Sequence, residues 1–187
     1  MEEDILKSLE VLQKGGIILY PTDTIWGIGC DATNSKAVEK IYQLKKRVDN
    51  KSMLVLVDSD ARIDRYVNDV PDIAWQLLEM ADKPLTIIYP NAKNLPFNLV
   101  ADDGSIGIRV AKDEFCQKLI GKFRKPIVST SANISGQPSP KNFAAITAEI
   151  ISGVDYVVKL KQNSANNTKP SSIIRLGTGG LFEIIRN

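Results

Sequence analysis

Apolar residues in this chain gather into short runs of two alternating kinds, and that alternation constrains the fold more than any other feature. "IILY" (17–20), "MLVLV" (53–57), "PLTIIY" (84–89), "SIGIRV" (105–110) and the pair Ile127-Val128 are compact and rich in β-branched residues, so they read as buried strands. Between them, apolar residues recur at helical intervals: Ile5, Leu6, Leu9 and Leu12 before Gly15-Gly16; Ala37, Val38, Ile41 and Leu44 behind an Asn34 or Ser35 cap; then residues 70–80 with Pro71 near the start, 115–120 and 143–151. "DYVVKL", "SSIIRL" and "LFEIIR" predict three short C-terminal strands. Helices and strands mingled by short connections predict a single α/β domain over residues 1–187, built on an open, twisted, mixed sheet with flanking helices. The polar, aperiodic stretch 161–169 reads as the flexible segment.

Composition removes several classes of function. At 43% hydrophobic and 25% charged residues the chain has the balance of a soluble globular domain, and no apolar run approaches the ~18–20 residues of a membrane span. The acidic, amphipathic N-terminus does not read as a signal peptide, and Cys30 and Cys116 read as free thiols of a reducing compartment, so a cytoplasmic location is expected. There is no histidine, which excludes a Ser-His-Asp triad, a Cys-His pair and the usual His-containing zinc sites within this chain. A net charge of +2 means that any grip on polyanions is local.

Four segments carry candidate chemistry. In "YPTDTIWGIG" (20–29), Thr22, Asp23 and Thr24 stand at a strand end ahead of Gly27 and Gly29. Such a turn either satisfies its own backbone or orients a small polar ligand. "KKRVDNKS" (45–52) sets four cations after a helix C-terminus, where they either offset the helix dipole or clamp phosphates or a carboxylate, with Arg47 as a fork and Lys51 as a point charge. Alternation puts Arg109 on the other side of its strand from Ile108 and Val110, either facing solvent or gripping a carboxylate in a cleft. Finally, "VSTSANISGQPSP" (128–140) holds more hydroxyl and amide groups than a turn needs for itself, among them Ser129, Ser131, Asn133 and Ser139. A concave, donor-rich turn of this kind suits phosphates, and a helix beginning near Pro140 would point its N-terminus at them.

Taken in order, "YPTDTIWGIG", "KKRVDNKS", "KPLTII", "GSIGIRV" and "VSTSANISGQPSP" resemble the YrdC family of L-threonylcarbamoyladenylate synthases from about Gly15 to Arg186. The resemblance implies an open α/β sheet with a large basic cavity. It implies an enzyme that condenses L-threonine, bicarbonate (or CO2) and ATP to threonylcarbamoyl-AMP and pyrophosphate, the adduct serving t6A formation in tRNA. Carried over by position, it assigns Thr24, Leu56, Arg109, Ser129 and Ser171 to L-threonine, with Arg109 on its carboxylate. It assigns Arg47, Lys51, Ser105, Ser131, Ser139 and Arg186 to ATP, and names Arg47, Lys51, Ser131 and Asn133 as the catalytic set. It further implies Mg2+ arriving with the nucleotide, not a protein metal cage, and a downstream tRNA threonylcarbamoyl transferase machinery, and it leaves contact with tRNA itself open.

The sequence departs from the family pattern where Trp26 replaces a usual Tyr, Val48 a common Pro, and Ser52-Met53 a frequent Pro-Leu. Two other readings compete: an RNA-binding module, suggested by the local cluster Lys36, Lys40, Lys45, Lys46, Arg47 and Lys51, and a carbamoyl-transfer domain like the YrdC-like segment of hydrogenase-maturation proteins. Asp23, an acid within these motifs, is expected to help bind metal or water.

Overall fold

A computed structural model describes residues 1–46, 53–164, 169–177 and 181–187. Nine strands form one sheet in the order β7-β1-β2-β6-β3-β5-β4-β8-β9. They are β1 (Ile18–Tyr20), β2 (Gly27–Gly29), β3 (Leu54–Val57), β4 (Leu85–Tyr89), β5 (Ile106–Val110), β6 (Ile127–Ser131), β7 (Tyr156–Val157), β8 (Ser172–Leu176) and β9 (Phe182–Arg186). The pairs β1·β7, β3·β5 and β4·β8 are parallel and the others antiparallel, so the sheet is mixed as expected.

The two sheet faces are covered unequally. On one face, Ile18, Tyr20, Leu56 and Ile127 pack under α1 (Glu2–Gln13) and α4 (Glu114–Phe123) through Ile5, Leu12, Phe115, Leu119 and Ile120. On the other, Leu19, Ile28, Val55, Ile87, Ile108 and Val128 pack with Ala37, Val38 and Ile41 of α2 (Ser35–Leu44) and Ala74 of α3 (Asp72–Met80). Asn34 caps α2 as read, its side chain accepting from Lys36 N and Ala37 N. Gly15 ends α1 at φ +72°, a conformation that glycine adopts without a Cβ penalty.

Three local expectations are corrected. "GIG" is a strand, β2, not part of a loop: a Cβ on Gly29 would lie 2.7 Å from the Tyr20 ring and 2.6 Å from the Val128 carbonyl, so glycine there lets Tyr20 cross the strand and donate its hydroxyl to Val128 O. Ser129, Thr130 and Ser131 continue β6 and do not form a turn. No helix starts at Pro140: residues 143–145 make one 3₁₀ turn, Ile146 is extended at φ −75°, ψ 132°, and a separate short helix, α5, spans Ala148–Ser152. The segment after β6 therefore lacks the helix N-terminus at Pro140 that the sequence led one to expect.

Candidate active site

The site follows from the half of one sheet face that α1 and α4 leave open. Along antiparallel β3 and β6 the same face passes from core to cavity: Leu56 pairs with Ile127 under the helices, and two residues along β3 Leu54 pairs with Ser129, both lining the cavity. A cavity of about 200 Å3 lies there, lined by Thr24, Gly27, Met53, Leu54, Arg109, Ser129, Thr130, Ser131, Ser139, Ser171 and Arg186 among others. A larger cavity of about 510 Å3 sits under Trp75, Leu78 and Leu85 on the opposite face, but lacks convergent hydroxyls and arginines.

Arg109 is the centre of the small cavity. Its guanidinium is 3% exposed, so it does not face solvent as one reading of the sequence allowed. Nη1 donates to Thr24 Oγ1 at 3.0 Å, and Nη2 lies 3.1 Å from Asp23 Oδ1. The Asp23 contact lacks hydrogen-bond geometry, so Nε and Nη2 have no acceptor among the described residues. Those two nitrogens share the edge with which arginine grips a carboxylate through two parallel bonds. A buried donor without an acceptor costs about 1–3 kcal/mol, which an anionic ligand would recover.

The remaining polar groups divide between building the site and facing it. Thr22 knots its own turn, accepting from Thr24 N and donating to Ile25 O, while Thr24 is turned to Arg109. Thr22 thus follows the self-satisfying reading of "PTDT", while Thr24 bonds both to Thr22 at 2.9 Å and to Arg109 at the cavity. Ser171 is buried, shares a 2.8 Å hydrogen bond with Thr86 and accepts from Arg186 Nε at its carbonyl, also 2.8 Å. Burial, and secondly the nearby Arg109 charge, push the Arg186 pKa below its ordinary value. Arginine still keeps its proton, so two neighbouring cations line the cavity, and Asp23 is in contact with one of them, Arg109.

Lys45 was legible only as a member of a basic run, and the structure gives it a place of its own. It is buried, and Nζ donates to Ser131 O at 2.5 Å and Asn133 O at 2.6 Å, while its carbonyl accepts from Ser135 N. With Ala132 N donating to Trp26 O, this pins the turn after β6. Trp26 is buried with its ring 4.9 Å from that of Phe143, so the departure from tyrosine is absorbed by packing. Nothing in a lysine after a helix predicts that it turns inward, since solvated lysines share the pattern.

Other assigned residues lie elsewhere. Leu56 belongs to the core beneath α4 and does not line the cavity; Leu54 and Met53 do. Ser105 precedes β5 and spends its hydroxyl on Asp103 at 2.6 Å, away from the cavity lining. Asn133 donates Nδ2 to Ile134 O and Gln137 O, holding its own turn, while its buried Oδ1 has no partner among the described residues. Arg47 and Lys51, with Val48 and Ser52, fall outside the described residues. The described part of the proposed RNA-facing cluster disperses: Lys45 is buried, Lys40 donates to Gly15 O, and Lys46 pairs with Glu149 at 2.7 Å. Cys30 and Cys116 are free and buried, and burial raises both thiol pKa values. Among the described residues no cluster of three or more acid or cysteine ligands could hold a metal, and no helix is long and apolar enough to cross a membrane.

Comparison with known proteins is consistent with this geometry. The chain is 32% identical over 184 residues to the threonylcarbamoyl-AMP synthase of Pseudoalteromonas translucida, covering 97% of each. It superposes on Escherichia coli YciO with a TM-score of 0.86 at 23% identity, over 100% of this chain and 90% of that one. Against the Pyrococcus abyssi Sua5 crystallised with L-threonine the TM-score is 0.81 at 23% identity, over 92% of this chain and half of that longer one. Both superpositions speak to the fold. Residues 10–187 match the family described as "Telomere recombination", and on that match and the near-full-length identity the chain belongs to the Sua5/YciO/YrdC family.

Proposed function

We propose that the chain is a threonylcarbamoyl-AMP synthase, a nucleotidyltransferase that joins L-threonine, bicarbonate or CO2, and ATP, with release of pyrophosphate. The observation that carries this reading is buried Arg109 in a hydroxyl-lined cavity, its Nε and Nη2 without a hydrogen-bond acceptor among the described residues although Asp23 lies beside Nη2. That edge suits an amino-acid carboxylate, and Thr24, Ser129 and Ser171 surround it with groups that can orient a β-hydroxyl. The threonine amine loses a proton and bonds to the carbon of CO2, giving a carbamate. A carbamate oxygen then attacks the α-phosphorus of ATP, and the bond to the β-phosphate oxygen breaks.

Positioning and charge stabilisation supply most of the catalysis of phosphoryl transfer, so a site without histidine is suited to it. Ser131, Ser139 and Arg186 at the cavity rim are assigned to the nucleotide, together with Arg47 and Lys51. Ser105 and Leu56 would reach ligand only if it extended beyond this cavity. Asn133 is assigned to the turn, with its free Oδ1 left for ligand. The neutral hydroxyls that line the cavity, Ser131 among them, and the lack of a lining acid among the described residues fit a divalent cation, Mg2+, carried in on phosphates and not caged by protein. When bound, such an ion offsets negative charge on the phosphates. Delivery to a tRNA-modifying transferase in the cytoplasm completes the reading.

The test is pyrophosphate release with each substrate left out in turn. The proposal expects release only when L-threonine, bicarbonate and ATP are all present. Release that ignores threonine would point to simple ATP hydrolysis, and binding of double-stranded RNA without any release would favour the RNA-binding alternative.

A further inference from the structure

The two edges of the sheet are treated differently. At one edge β7 has two residues, and α1 shields it: Asp4 accepts from Tyr156 Oη and from Lys159 N. At the other, β9 has five residues, all exposed, and no strand beyond it among the described residues. Leu181, Phe182, Ile184 and Ile185 are 48–72% exposed, half of the exposed large apolar residues among those described. Neither lysine nor proline interrupts the strand, although those are the usual devices that keep an edge from pairing.

The backbone of β9 is arranged to accept a neighbour. Gly177 N donates to Leu181 O, so antiparallel alternation turns the N–H and C=O of Phe182 and Ile184 away from β8. Phe182 and Ile184 pair with Leu176 and Ile174, which belong to the core on the face opposite the cavity. They extend that apolar layer past the last covered strand. On the cavity face stand Glu183, opposite Arg175, and Arg186, opposite Ile173, brought to the same side by the irregularity between Ile173 and Ile174. Arg175 is paired with Asp103, and Glu183 makes no ion pair among the described residues.

We propose that two copies of this chain associate by antiparallel pairing of β9 with β9, about a two-fold axis at Ile184. The strand is self-complementary in that register. Ile184 of each copy exchanges both backbone hydrogen bonds with its counterpart, the Phe182 and Ile184 side chains merge into one apolar row, and Glu183 of each copy lies diagonally beside Arg186 of the other. The interface is isologous and closes at two copies, so it removes an exposed edge without growing into a fibre.

The test combines sedimentation with a symmetric cross-link. The wild-type chain sediments as a dimer that dissociates on dilution, and Ile184→Lys weakens association about tenfold or more, because it puts a charge at the centre of the contact. The Cα atoms of a directly opposed, hydrogen-bonded pair are about 5.5 Å apart, within disulfide range, so Ile184→Cys gives a disulfide-linked dimer under mild oxidation. Native Cys30 and Cys116 are buried and do not compete, and Leu6→Cys on exposed α1 is the control that stays monomeric on a denaturing gel. A monomer at every concentration, a species that grows past two copies, or a dimer indifferent to Ile184→Lys would each overturn the proposal.

Discussion

Asp23 and Arg109 form an ion pair at 3.1 Å in which the side chains are 10% and 3% exposed, so each charge depends on the other for its burial. Removing one partner of such a pair costs about 3–5 kcal/mol, because the other is left uncompensated. Asp23→Asn keeps the shape and deletes the charge. Its melting temperature should fall, and L-threonine should restore more of it than it adds to the wild type, because the substrate carboxylate resupplies a negative charge beside Arg109. Thermal melts of both proteins with and without threonine make the comparison; equal threonine shifts would dissociate Asp23 from the binding role of Arg109.

Arg109→Lys should not rescue function. A lysine offers a point charge where the Nε–Nη2 edge offers two parallel donors, and it loses the bond to Thr24. Losing one charge-assisted bond of about 1.5–3 kcal/mol weakens threonine roughly 10–100-fold, with ATP affinity largely kept. Separate calorimetric titrations of the two ligands measure this. Normal threonine affinity in the lysine variant would leave Arg109 a purely structural role.

Lys45→Met keeps the length and apolar stem of the side chain but removes the ammonium that ties Ser131 O to Asn133 O. Two carbonyls lose a charged donor, so the turn that carries Asn133 should loosen. The expected result is a lower melting temperature together with a fall in kcat of at least about tenfold, a loss near 1.4 kcal/mol in transition-state stabilisation. Steady-state kinetics beside a melt would show it; a stability loss with unchanged kcat would confine Lys45 to the scaffold.

Asp4 connects α1 to the β7 edge and gives the fold an acid-sensitive contact. Burial opposes its charge, but hydrogen bonds from Lys159 N and Tyr156 Oη outweigh that and hold its carboxyl below the ordinary value. A carboxyl whose folded pKa is depressed contributes stability above its unfolded pKa of about 3.9 and loses it as pH falls further, through the folded value. Asp4→Asn should therefore be less stable than wild type at neutral pH, with the gap closing below about pH 4. Denaturant unfolding at a series of pH values tests the sign.

Much of the fold was legible because strand and helix periods are written in the apolar positions. Ile17 to Tyr20, Leu54 to Val57 and Ile106 to Val110 announce themselves by β-branching. β2 did not, since a Gly-Ile-Gly strand has no side-chain signal and is made by Tyr20 packing across Gly29. The same limit hid the break at Ile146 inside an apolar stretch that reads as one helix. At the site, the motif residues Thr24, Arg109, Ser129, Ser131, Ser139, Ser171 and Arg186 do gather around one cavity. Which hydroxyl serves its own turn and which faces ligand was not legible. That choice belongs to distant neighbours such as Thr86 for Ser171 and Arg109 for Thr24.

In the proposed reaction one cavity brings threonine, a one-carbon acid and ATP together. Its most direct measurement supplies isotope-labelled bicarbonate with L-threonine and Mg-ATP and reads the mass of the nucleotide product. The account predicts an adduct of AMP and threonine that carries the label, formed in proportion to pyrophosphate and lost in Arg109→Lys. AMP and pyrophosphate without a labelled adduct, or a labelled product that forms without threonine, would contradict it.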